Sequence, residues 1–343
     1  MSCSGETLEP ADDFIQIKPM ILNQLKKAHY GVADHATVEL CHWTKRSFRN
    51  EGDCYKHKFY GISTHRCMEF SPAGMFCENR CVYCWRPMEF YSAMKMPADK
   101  VAPPEIVLSR LMEERERLIM GHYGDVKCDS KKIDESLLPS HYAISLSGEP
   151  TMYPQLPELI RYLKLLPATK SVFLVTNGQE PEMLERLRDE DALPTQLYLS
   201  TNAPNEEIFH LVNRPKYKDA WERWNKSLEI LSTLDGTRSV LRFTLIRGHN
   251  EREGLVPEYA EMVRRGNAHF IELKSYMHVG RSTNRLAYTD MLEMDEIRRF
   301  ASLLSEASGI YSVMDESEVS RIVVLQNRPR QVSRWISAYA DTS

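Results

Sequence analysis

Three cysteines close together in the sequence, Cys77, Cys81 and Cys84, constrain this chain more than any other feature. Their Cys-x-x-x-Cys-x-x-Cys spacing places three thiols on one short loop. Thiolates are the usual ligands of iron–sulfur clusters, and a [4Fe–4S] cluster normally takes four of them. A structural zinc site is the alternative, but zinc prefers four ligands, usually from two Cys-x-x-Cys pairs. The spacing therefore favours a cluster with one iron that has no protein ligand.

An open iron of this kind can bind a small molecule. S-adenosylmethionine (SAM) chelates such an iron through its amino and carboxylate groups, and one electron then cleaves it to a 5′-deoxyadenosyl radical. The cysteine spacing, with the aromatic Tyr83 just before Cys84, resembles the radical SAM superfamily. The loop is therefore interpreted as a cluster site that binds SAM, with Tyr83 as one of its contacts.

Length and composition limit the other possibilities. At 343 residues the chain is long enough for a large core, and an α/β barrel of this size commonly forms one domain. It has no apolar run long enough to span a bilayer, and residues 1–6 lack the build of a signal peptide. We therefore expect no membrane partner, a cytoplasmic location, and cysteines that bind metal rather than form disulfides. Because the net charge is −4, any contact with RNA requires a local basic patch.

Apolar runs typical of strands alternate with helical patterns through the middle of the chain. The runs lie near residues 68–70 and at 143–146, 171–175, 196–200, 240–245 and 270–274. The helical patterns lie at 104–120, 155–165, 181–189, 205–212, 219–234 and 256–265. This alternation predicts a parallel sheet with right-handed crossovers. Six such units predict a partial barrel that is open at one side.

Polar residues follow these predicted strands at their carboxyl ends, where the functional residues of such barrels gather. One group can offer backbone carbonyls to the SAM amino group, with a glycine that permits close approach. A second group can hold ribose hydroxyls or the SAM carboxylate. The first group is Ser147, Gly148, Glu149 and Pro150, and the second is Asn177, Ser200 and Asn202.

Arg242 lies inside an otherwise apolar strand. A charge in that position is costly unless an anion pairs with it. The SAM carboxylate and a structural carboxylate such as Glu272 are both candidates for that anion.

A second set of three cysteines precedes the loop. Cys41, Cys54 and Cys67 lie thirteen positions apart, twice. Scattered cysteines are often small core hydrophobes, but basic neighbours favour thiolates. The spacing and surroundings predict a second cluster, again with an open iron. The basic neighbours are Lys56, His57, Lys58, His65 and Arg66, whereas Cys3 and Cys128 have no such partners.

Two stretches are candidate RNA surfaces. Residues 41–66 carry six lysines and arginines against two acids, interleaved with aromatic residues; cations for phosphates and rings for stacking suit looped RNA. Residues 321–335 carry four arginines and no acid. In both cases a solvated face is the alternative. The C-terminal part also predicts a helix at 293–307 and paired edge strands at 311–314 and 321–325.

Beyond the superfamily, nearly the whole chain resembles the archaeal tRNA 4-demethylwyosine synthases, a radical SAM family of wyosine biosynthesis. The resemblance rests on the six cysteines, on residues 54–62 (CYKHKFYGI), and on residues 84–87 (CWRP). Residues 145–150 (SLSGEP) and 175–178 (VTNG) also fit. One departure is Ser147, where the superfamily pattern has a glycine, which leaves the backbone-carbonyl role of this segment less secure.

The resemblance implies a fold and a reaction. The fold is a partial (β/α)6 radical SAM barrel at residues 69–280, with an N-terminal cluster-binding extension (1–68) and a small C-terminal α+β extension (281–343). In the family's reaction the radical removes hydrogen from the N-methyl group of 1-methylguanosine beside the anticodon of tRNA(Phe). Pyruvate supplies two carbons, its carboxylate carbon is lost, and a tricyclic base forms.

The resemblance also implies residue roles and cofactors. Cys77, Cys81 and Cys84 hold the SAM cluster, and Cys41, Cys54 and Cys67 hold an auxiliary [4Fe–4S] cluster. Lys56 resembles the lysine proposed to form a Schiff base with pyruvate, with Lys58 as a substitute; alternatively, pyruvate binds the open auxiliary iron. We expect no flavodoxin-like domain of the kind found in eukaryotic members, and therefore an external ferredoxin- or flavodoxin-like electron donor.

Two other functions fit parts of the pattern. One is a radical SAM enzyme with an auxiliary cluster that acts on a peptide or small molecule, although the basic and aromatic N-terminal stretch disfavours it. The other is a zinc-bearing RNA-binding module without enzymatic activity.

Overall fold

The computed structural model describes residues 13–336, so Cys3 and residues 1–6 lie outside the described part. The strands are β1 (Tyr30–Ala33), β2 (Ala36–Glu39), β3 (Cys67–Ser71), β4 (His141–Ile144), β5 (Ser171–Thr176), β6 (Gln196–Ser200), β7 (Arg238–Leu245), β8 (Phe270–Ser275), β9 (Tyr311–Ser317) and β10 (Ile322–Asn327). The helices are α1 (Pro19–Lys27), α2 (His42–Phe48), α3 (Tyr55–Tyr60), α4 (Pro104–Met120), α5 (Ser130–Ser136), α6 (Leu156–Leu165), α7 (Pro181–Asp189), α8 (Glu206–Asn213), α9 (Ala220–Thr233), α10 (Val256–Gly266) and α11 (Met294–Ser308).

All ten strands belong to one open sheet, in the order β1-β2-β3-β4-β5-β6-β7-β8-β10-β9. The six strands from β3 to β8 are parallel to one another. The pairs β1–β2, β2–β3, β8–β10 and β10–β9 are antiparallel. The predicted partial (β/α)6 barrel is therefore confirmed, and antiparallel strands extend it at both sides.

The predicted elements of the barrel agree closely with the observed ones. The six strands begin and end within three residues of their predicted positions, and α4 and α7 match their predicted ranges. The first turns of α4, α6, α7 and α10 contain a proline, which lacks an amide hydrogen and tolerates this position without loss of a hydrogen bond. Strong periodicity and clear start signals explain the agreement.

The N- and C-terminal parts were predicted less well. β1 and β2 have four residues each, and α3 has six, so their sequences carry too little periodicity to be recognised. Strands β9 and β10 pair as predicted, in antiparallel orientation, but β10 lies between β8 and β9, so of these two only β9 forms an edge. The domain boundaries at residues 68 and 280 stay a prediction, because one sheet runs through all three segments.

The sheet buries both faces. On the outer face, leucines such as Leu174, Leu199 and Leu241 pack in one large core with the helices that connect the strands. On the inner face, Tyr55, Phe59 and Tyr60 of α3 pack against aromatic residues of the strands, Phe173, Tyr198 and Phe270. Helix α3 therefore fills part of the barrel interior. Among the helices of residues 13–336, none has the length and apolar content that crossing a bilayer requires.

Candidate active site

The loop of Cys77, Cys81 and Cys84 follows β3 and is held by neighbouring backbone. The amide of Cys77 donates to the carbonyl of Ser92 at 2.8 Å, and the amide of Arg80 donates to the carbonyl of Asn213 at 2.9 Å. The Arg80 side chain also donates from Nη1 to the Cys77 carbonyl at 2.7 Å. The shape of the loop is therefore set by the segments on both sides of it.

The thiols of this loop are protonated unless a metal binds them. Burial raises the pKa of all three, to about 12 for Cys81. Iron must displace these protons, because thiolates are the ligands. In residues 13–336, no group of three or more His, Cys, Asp or Glu is arranged to hold a single metal ion. A [4Fe–4S] cluster spreads its thiolates over separate irons, and three thiols on one loop suit such a cluster with one open iron.

Buried polar atoms beside the loop support the same interpretation. Within the described residues, Glu78 Oε1, Asn79 Oδ1 and the Tyr91 hydroxyl are buried and make no hydrogen bond. Such atoms are rare, and each costs about 1–3 kcal/mol if nothing binds it. Asn177 Nδ2 lies 3.7 Å from Cys77 Sγ and 3.1 Å from Glu78 Oε2. The site therefore keeps polar atoms next to Cys77 that a polar ligand such as SAM can use.

The segment from Ser147 to Pro150 packs against the cysteine loop. Gly148 has φ +72°, and a Cβ there would lie 1.9 Å from the Ala73 carbonyl oxygen, so the position requires glycine. The amide of Glu149 donates to the Phe76 carbonyl at 2.6 Å. Ser147 Oγ is 2.9 Å from Thr37 Oγ1 and is buried, and Pro150 begins a short 3₁₀ turn. These residues position the loop whether or not their carbonyls also bind SAM.

The Glu149 carboxylate is occupied by protein groups. Its Oε1 accepts hydrogen bonds from the Thr151 amide at 3.2 Å and the Thr151 hydroxyl at 2.6 Å. Its Oε2 accepts from the Asn177 amide at 2.8 Å. Glu149 therefore connects the ends of β4 and β5 beneath the loop.

Asn202 holds Tyr83 and the end of α8 together. Its Nδ2 donates to the Tyr83 hydroxyl at 2.7 Å and to Asn213 Oδ1 at 3.1 Å, and its Oδ1 accepts from the Thr244 amide at 3.1 Å. These bonds use the polar atoms of the Asn202 side chain, so the predicted contact with SAM would have to replace one of them. Ser200, two residues earlier, pairs in register with Arg242 of β7.

Cys41, Cys54 and Cys67 come from three different elements. Cys41 precedes α2 and accepts a hydrogen bond from the Thr44 amide at 3.4 Å, Cys54 precedes α3, and Cys67 begins β3. Burial, and then Glu69 and Cys54, raise the pKa of Cys41 to about 12. The pKa of Cys67 is raised by burial and then by Cys41. The three thiols are therefore close enough to influence one another electrostatically, and the second cluster stays a prediction.

Lys56 lies inside the barrel beside this second set of cysteines. It is 9% exposed, and its Nζ lies 4.6 Å from the centre of the Phe173 ring and 4.9 Å from that of Tyr198. In contrast, Lys58 lies on the exposed side of α3, where its Nζ is 3.0 Å from Asp315 Oδ1. His57 is also exposed. Of the two candidate lysines, only Lys56 faces the barrel interior.

Arg242 pairs with Glu272, one of its two predicted partners. Arg242 Nε is 4.0 Å from Glu272 Oε2. Glu272 is fully buried and also accepts hydrogen bonds from the Tyr55 hydroxyl at 3.0 Å and the Tyr60 hydroxyl at 2.8 Å. The carboxylate therefore joins α3 to β8 and offsets part of the charge of Arg242.

Lys274, on the same strand as Glu272, was not recognised as a site residue from the sequence. Burial, and then Arg242, lower the pKa of Lys274 to about 8. Among its other neighbours, Cys54 raises this pKa and Lys56 lowers it. Its Nζ lies 5.6 Å from the centre of the Tyr55 ring. The signal was the alternation of β8, which places Glu272 and Lys274 on one face.

Between the two cysteine sites lies a buried ion pair. Arg86, two residues after Cys84, donates from Nη1 to Glu39 Oε2 at 2.6 Å, and its Nη2 lies 3.9 Å from Glu69 Oε1. The Arg86 guanidinium carbon lies 3.3 Å from the centre of the Trp85 ring. Burial, and then Glu69, raise the pKa of Glu39 to about 8. Arg86 therefore links the SAM-cluster loop to β2 and β3.

Many of the arginines in the two basic stretches, residues 41–66 and 321–335, bind other groups of the protein. In the first, Arg49 is paired with Asp125 at 2.8 Å, and Arg46 donates to the Glu51 carbonyl at 2.6 Å. In the second, the arginines bind carboxylates or backbone carbonyls, which disfavours a continuous RNA surface there. Their partners are Glu293 for Arg321, the Gly309 carbonyl for Arg328, the Ser232 and Asn267 carbonyls for Arg330, and Asp315 and the Phe59 carbonyl for Arg334.

Comparisons with known proteins agree with this geometry. Residues 72–255 match the radical SAM superfamily, and residues 265–327 match the wyosine base formation family. The S-adenosyl-L-methionine-dependent tRNA 4-demethylwyosine synthase of Pyrococcus abyssi is 39% identical over 325 residues, which is 93% of each chain. The corresponding protein of Methanocaldococcus jannaschii is 40% identical over 90% of this chain and 96% of its own.

A solved structure supports the same relationship. The structure of TYW1 with a lysine–pyruvate adduct bound is 38% identical in sequence and superposes with a TM-score of 0.83. The match covers 93% of this chain and 99% of that one. The chain therefore belongs to the radical SAM superfamily and, within it, to the family of S-adenosyl-L-methionine-dependent tRNA 4-demethylwyosine synthases.

Proposed function

We propose that this protein forms 4-demethylwyosine in tRNA(Phe) by condensing pyruvate with 1-methylguanosine beside the anticodon. The single observation that carries the proposal is the position of Lys56. Its amine is buried within the barrel next to Cys54 and faces aromatic rings. Among residues 13–336 Lys56 forms no direct ion pair, and a buried lysine of this kind is a candidate nucleophile rather than a structural cation. A relative is known with a lysine–pyruvate adduct.

Lys56 would hold pyruvate as an imine. The neutral Nζ attacks the ketone carbon of pyruvate, a carbon–nitrogen double bond forms, and the ketone oxygen leaves as water with both amine hydrogens. The rings of Phe173 and Tyr198 border the amine. Such apolar walls limit the access of water and so slow hydrolysis of the imine. The alternative, in which pyruvate binds the auxiliary iron directly, assigns no covalent role to Lys56.

The loop of Cys77, Cys81 and Cys84 would hold the [4Fe–4S] cluster to which SAM binds. When bound, the cluster and SAM supply the 5′-deoxyadenosyl radical that removes hydrogen from the N-methyl group. Asn177, Ser200 and the backbone of Ser147, Gly148 and Pro150 are the proposed SAM contacts. Glu149 supports the cysteine loop through its hydrogen bond with the Asn177 amide, and Asn202 supports it through its hydrogen bond to the Tyr83 hydroxyl. We assign Arg242 to the site of Cys41, Cys54 and Cys67, because it pairs with Glu272.

Cys41, Cys54 and Cys67 are proposed to hold a second [4Fe–4S] cluster beside Lys56. The electron for SAM cleavage would come from a separate ferredoxin- or flavodoxin-like protein. We place the reaction in the cytoplasm, because its substrate is a tRNA and because thiol ligands persist in a reducing compartment.

The proposal is tested by mass spectrometry of tRNA nucleosides. Reconstituted protein is incubated anaerobically with SAM, a reductant, pyruvate and tRNA(Phe) that carries 1-methylguanosine. We expect the tricyclic base to appear only with pyruvate and only on the methylated tRNA. Cleavage of SAM without any change in the tRNA, despite full iron loading of both sites, would contradict the proposed function.

A further inference from the structure

The barrel interior contains two amines, of the buried Lys56 and the half-buried Lys274, and only part of the negative charge needed to balance them. Lys56 and Lys274 both border the second cysteine site, yet within residues 13–336 neither forms an ion pair or a side-chain hydrogen bond. Their recorded partners are rings: Phe173 and Tyr198 for Lys56, and Tyr55 for Lys274. Two ammonium groups left in this way would repel each other and lose hydration.

The nearby carboxylates, Glu272 and Glu69, balance only part of the charge of these cations. Both oxygens of Glu272 accept hydrogen bonds from tyrosines, and Arg242 already lies 4.0 Å from one of them. Glu69 lies 3.9 Å from Arg86 and also acts electrostatically on Lys56, Arg242 and Lys274, so one carboxylate is shared among several cations. Arg242 of β7 pairs in register with Glu272 of β8, and Lys274 follows Glu272 by two residues. Lys274 and Arg242 are therefore two neighbouring cations on adjacent strands.

We propose that Lys274, assisted by Arg242, binds the carboxylate of pyruvate while Lys56 takes its ketone. This inference rests on the proposed function, because it assigns the second half of the same small molecule. Pyruvate has a carboxylate one bond from its ketone, so a cation beside the nucleophilic amine recognises both groups at once. Lys274 is thus a residue that selects a 2-oxo acid over an uncharged ketone, and it forms no covalent bond.

The geometry of the strands explains why Lys274 can take this role. β8 ends at Ser275, so Lys274 lies at the carboxyl end of the strand, where ligands bind in parallel barrels. Lys56 enters from α3, which packs on the inner face of the same sheet. One amine therefore comes from the barrel wall and the other from the helix inside it.

The test compares pyruvate with methyl pyruvate, which keeps the ketone but has no charge. Each is trapped with borohydride on the reconstituted protein, and the adduct is quantified by intact-protein mass and located by peptide mapping. In the native protein we expect the adduct on Lys56 and half-maximal trapping at far lower concentration for pyruvate than for the ester. In Lys274→Gln we expect the concentration of pyruvate that gives half-maximal trapping to rise about tenfold or more, which corresponds to about 1.4 kcal/mol. The corresponding concentration of methyl pyruvate should stay unchanged.

Two further variants make the result specific. Lys274→Arg keeps the charge and should keep most of the preference for pyruvate. Lys58→Gln removes an exposed lysine that pairs with Asp315 and should behave as the native protein does. Iron content and SAM cleavage, measured on each variant, show whether both clusters have assembled.

Several outcomes would overturn the inference. An unchanged preference for pyruvate in Lys274→Gln would show that the carboxylate is bound elsewhere. An adduct on Lys274 would make it the nucleophile, and loss of the second cluster in Lys274→Gln but not in Lys274→Arg would make it a counter-ion of that cluster. The absence of any adduct in the native protein is a different result, because it would contradict the imine chemistry itself.

Discussion

The two cysteine sites of this protein have opposite surroundings. Cys77 and its neighbours share their site with carboxyl and amide groups, among them Glu78, Glu149 and Asn177. Cys54 and its partners share theirs with three cations, Lys56, Lys274 and Arg242, which outnumber the two carboxylates there, Glu69 and Glu272. An acidic, amide-rich site suits the amino and sulfonium groups of SAM, whereas a site with three cations suits a carboxylate. The difference suggests that each site is matched to the charge of its own ligand.

The sites also differ in how they are assembled. The first lies on one continuous loop, so its ligand spacing is local. The second requires the starts of α2, α3 and β3 to meet, and therefore depends on the packing of α3 inside the sheet. A local site tolerates disturbance of distant elements, whereas an assembled site does not. Loss of one site should thus be separable from loss of the other.

The largest expected effect comes from the cysteines themselves. Loss of a residue that only supports a metal ligand typically costs roughly 10- to 100-fold in activity. Because Cys81→Ala removes a cluster ligand itself, it should reduce SAM cleavage by more than that. Cys54→Ala should keep SAM cleavage and lose the tricyclic product. Release of 5′-deoxyadenosine and iron per chain are the measurements. Full SAM cleavage by Cys81→Ala would remove the distinction between the sites.

Lys56→Arg tests the chemistry of the second site. Arginine keeps the positive charge but cannot lose a proton in a protein, so it cannot attack a ketone. Product formation should fall at least about a hundredfold while SAM cleavage persists. The matched control is Lys58→Arg on the exposed side of the same helix, which should retain product formation. Equal turnover in both variants would favour pyruvate bound directly to the auxiliary cluster.

Gly148→Ala tests the packing behind the first site. Gly148 and Gly248 have nearly the same φ, +72° and +73°, but only at Gly148 would a Cβ meet backbone atoms. Both alanine variants are strained by about 1–3 kcal/mol, and the clash adds to this only in Gly148→Ala. We expect a lower melting temperature and weaker SAM binding for Gly148→Ala than for Gly248→Ala. Equal effects would mean that the loop can move away from Ala73.

The smallest expected effect concerns tRNA. Of the three cations at residues 45–49, Arg49 is paired with Asp125 and Arg46 donates to the Glu51 carbonyl, whereas neither Lys45 nor Arg46 has a recorded carboxylate partner among the described residues. Replacing both with glutamine should weaken tRNA binding and reduce its salt dependence by about one unit of slope per lost contact at most. Lys226→Gln, on the outer helix α9, is the control. Unchanged affinity and slope would show that the stretch is a solvated surface.

Much of the fold could be predicted from the sequence because the barrel is built of local signals. Alternating apolar runs, proline-initiated helices and the cysteine spacing each depend on residues only a few positions apart. The sequence pattern also allowed two other functions, a radical SAM enzyme acting on a peptide or small molecule and a zinc-bearing RNA-binding module. Neither is consistent with the family to which the chain belongs. Strands β1 and β2 were missed because four residues give no usable period.

Side-chain roles were harder to predict than elements. The sequence alone could not choose between Lys56 and Lys58, because the choice depends on which side of the six-residue helix α3 packs inward. It also left Asn202 and Glu149 as equal candidates for SAM contact, although hydrogen bonds to Tyr83 and Thr151 occupy them. Such partners are distant in the chain, or lie on loops of irregular geometry.

By itself the sequence determined the cluster loop, the order of strands and helices, and the chemistry expected of a family with six cysteines. Only the tertiary structure decided that Lys274 lies close enough to Lys56 to interact with it electrostatically, and that Arg242 is paired with Glu272. The physical reason is that local spacing controls which residues share a loop or a strand face. Which strand face meets which helix depends on the curvature of the sheet and on the burial of α3 within it, and these are properties of the whole fold.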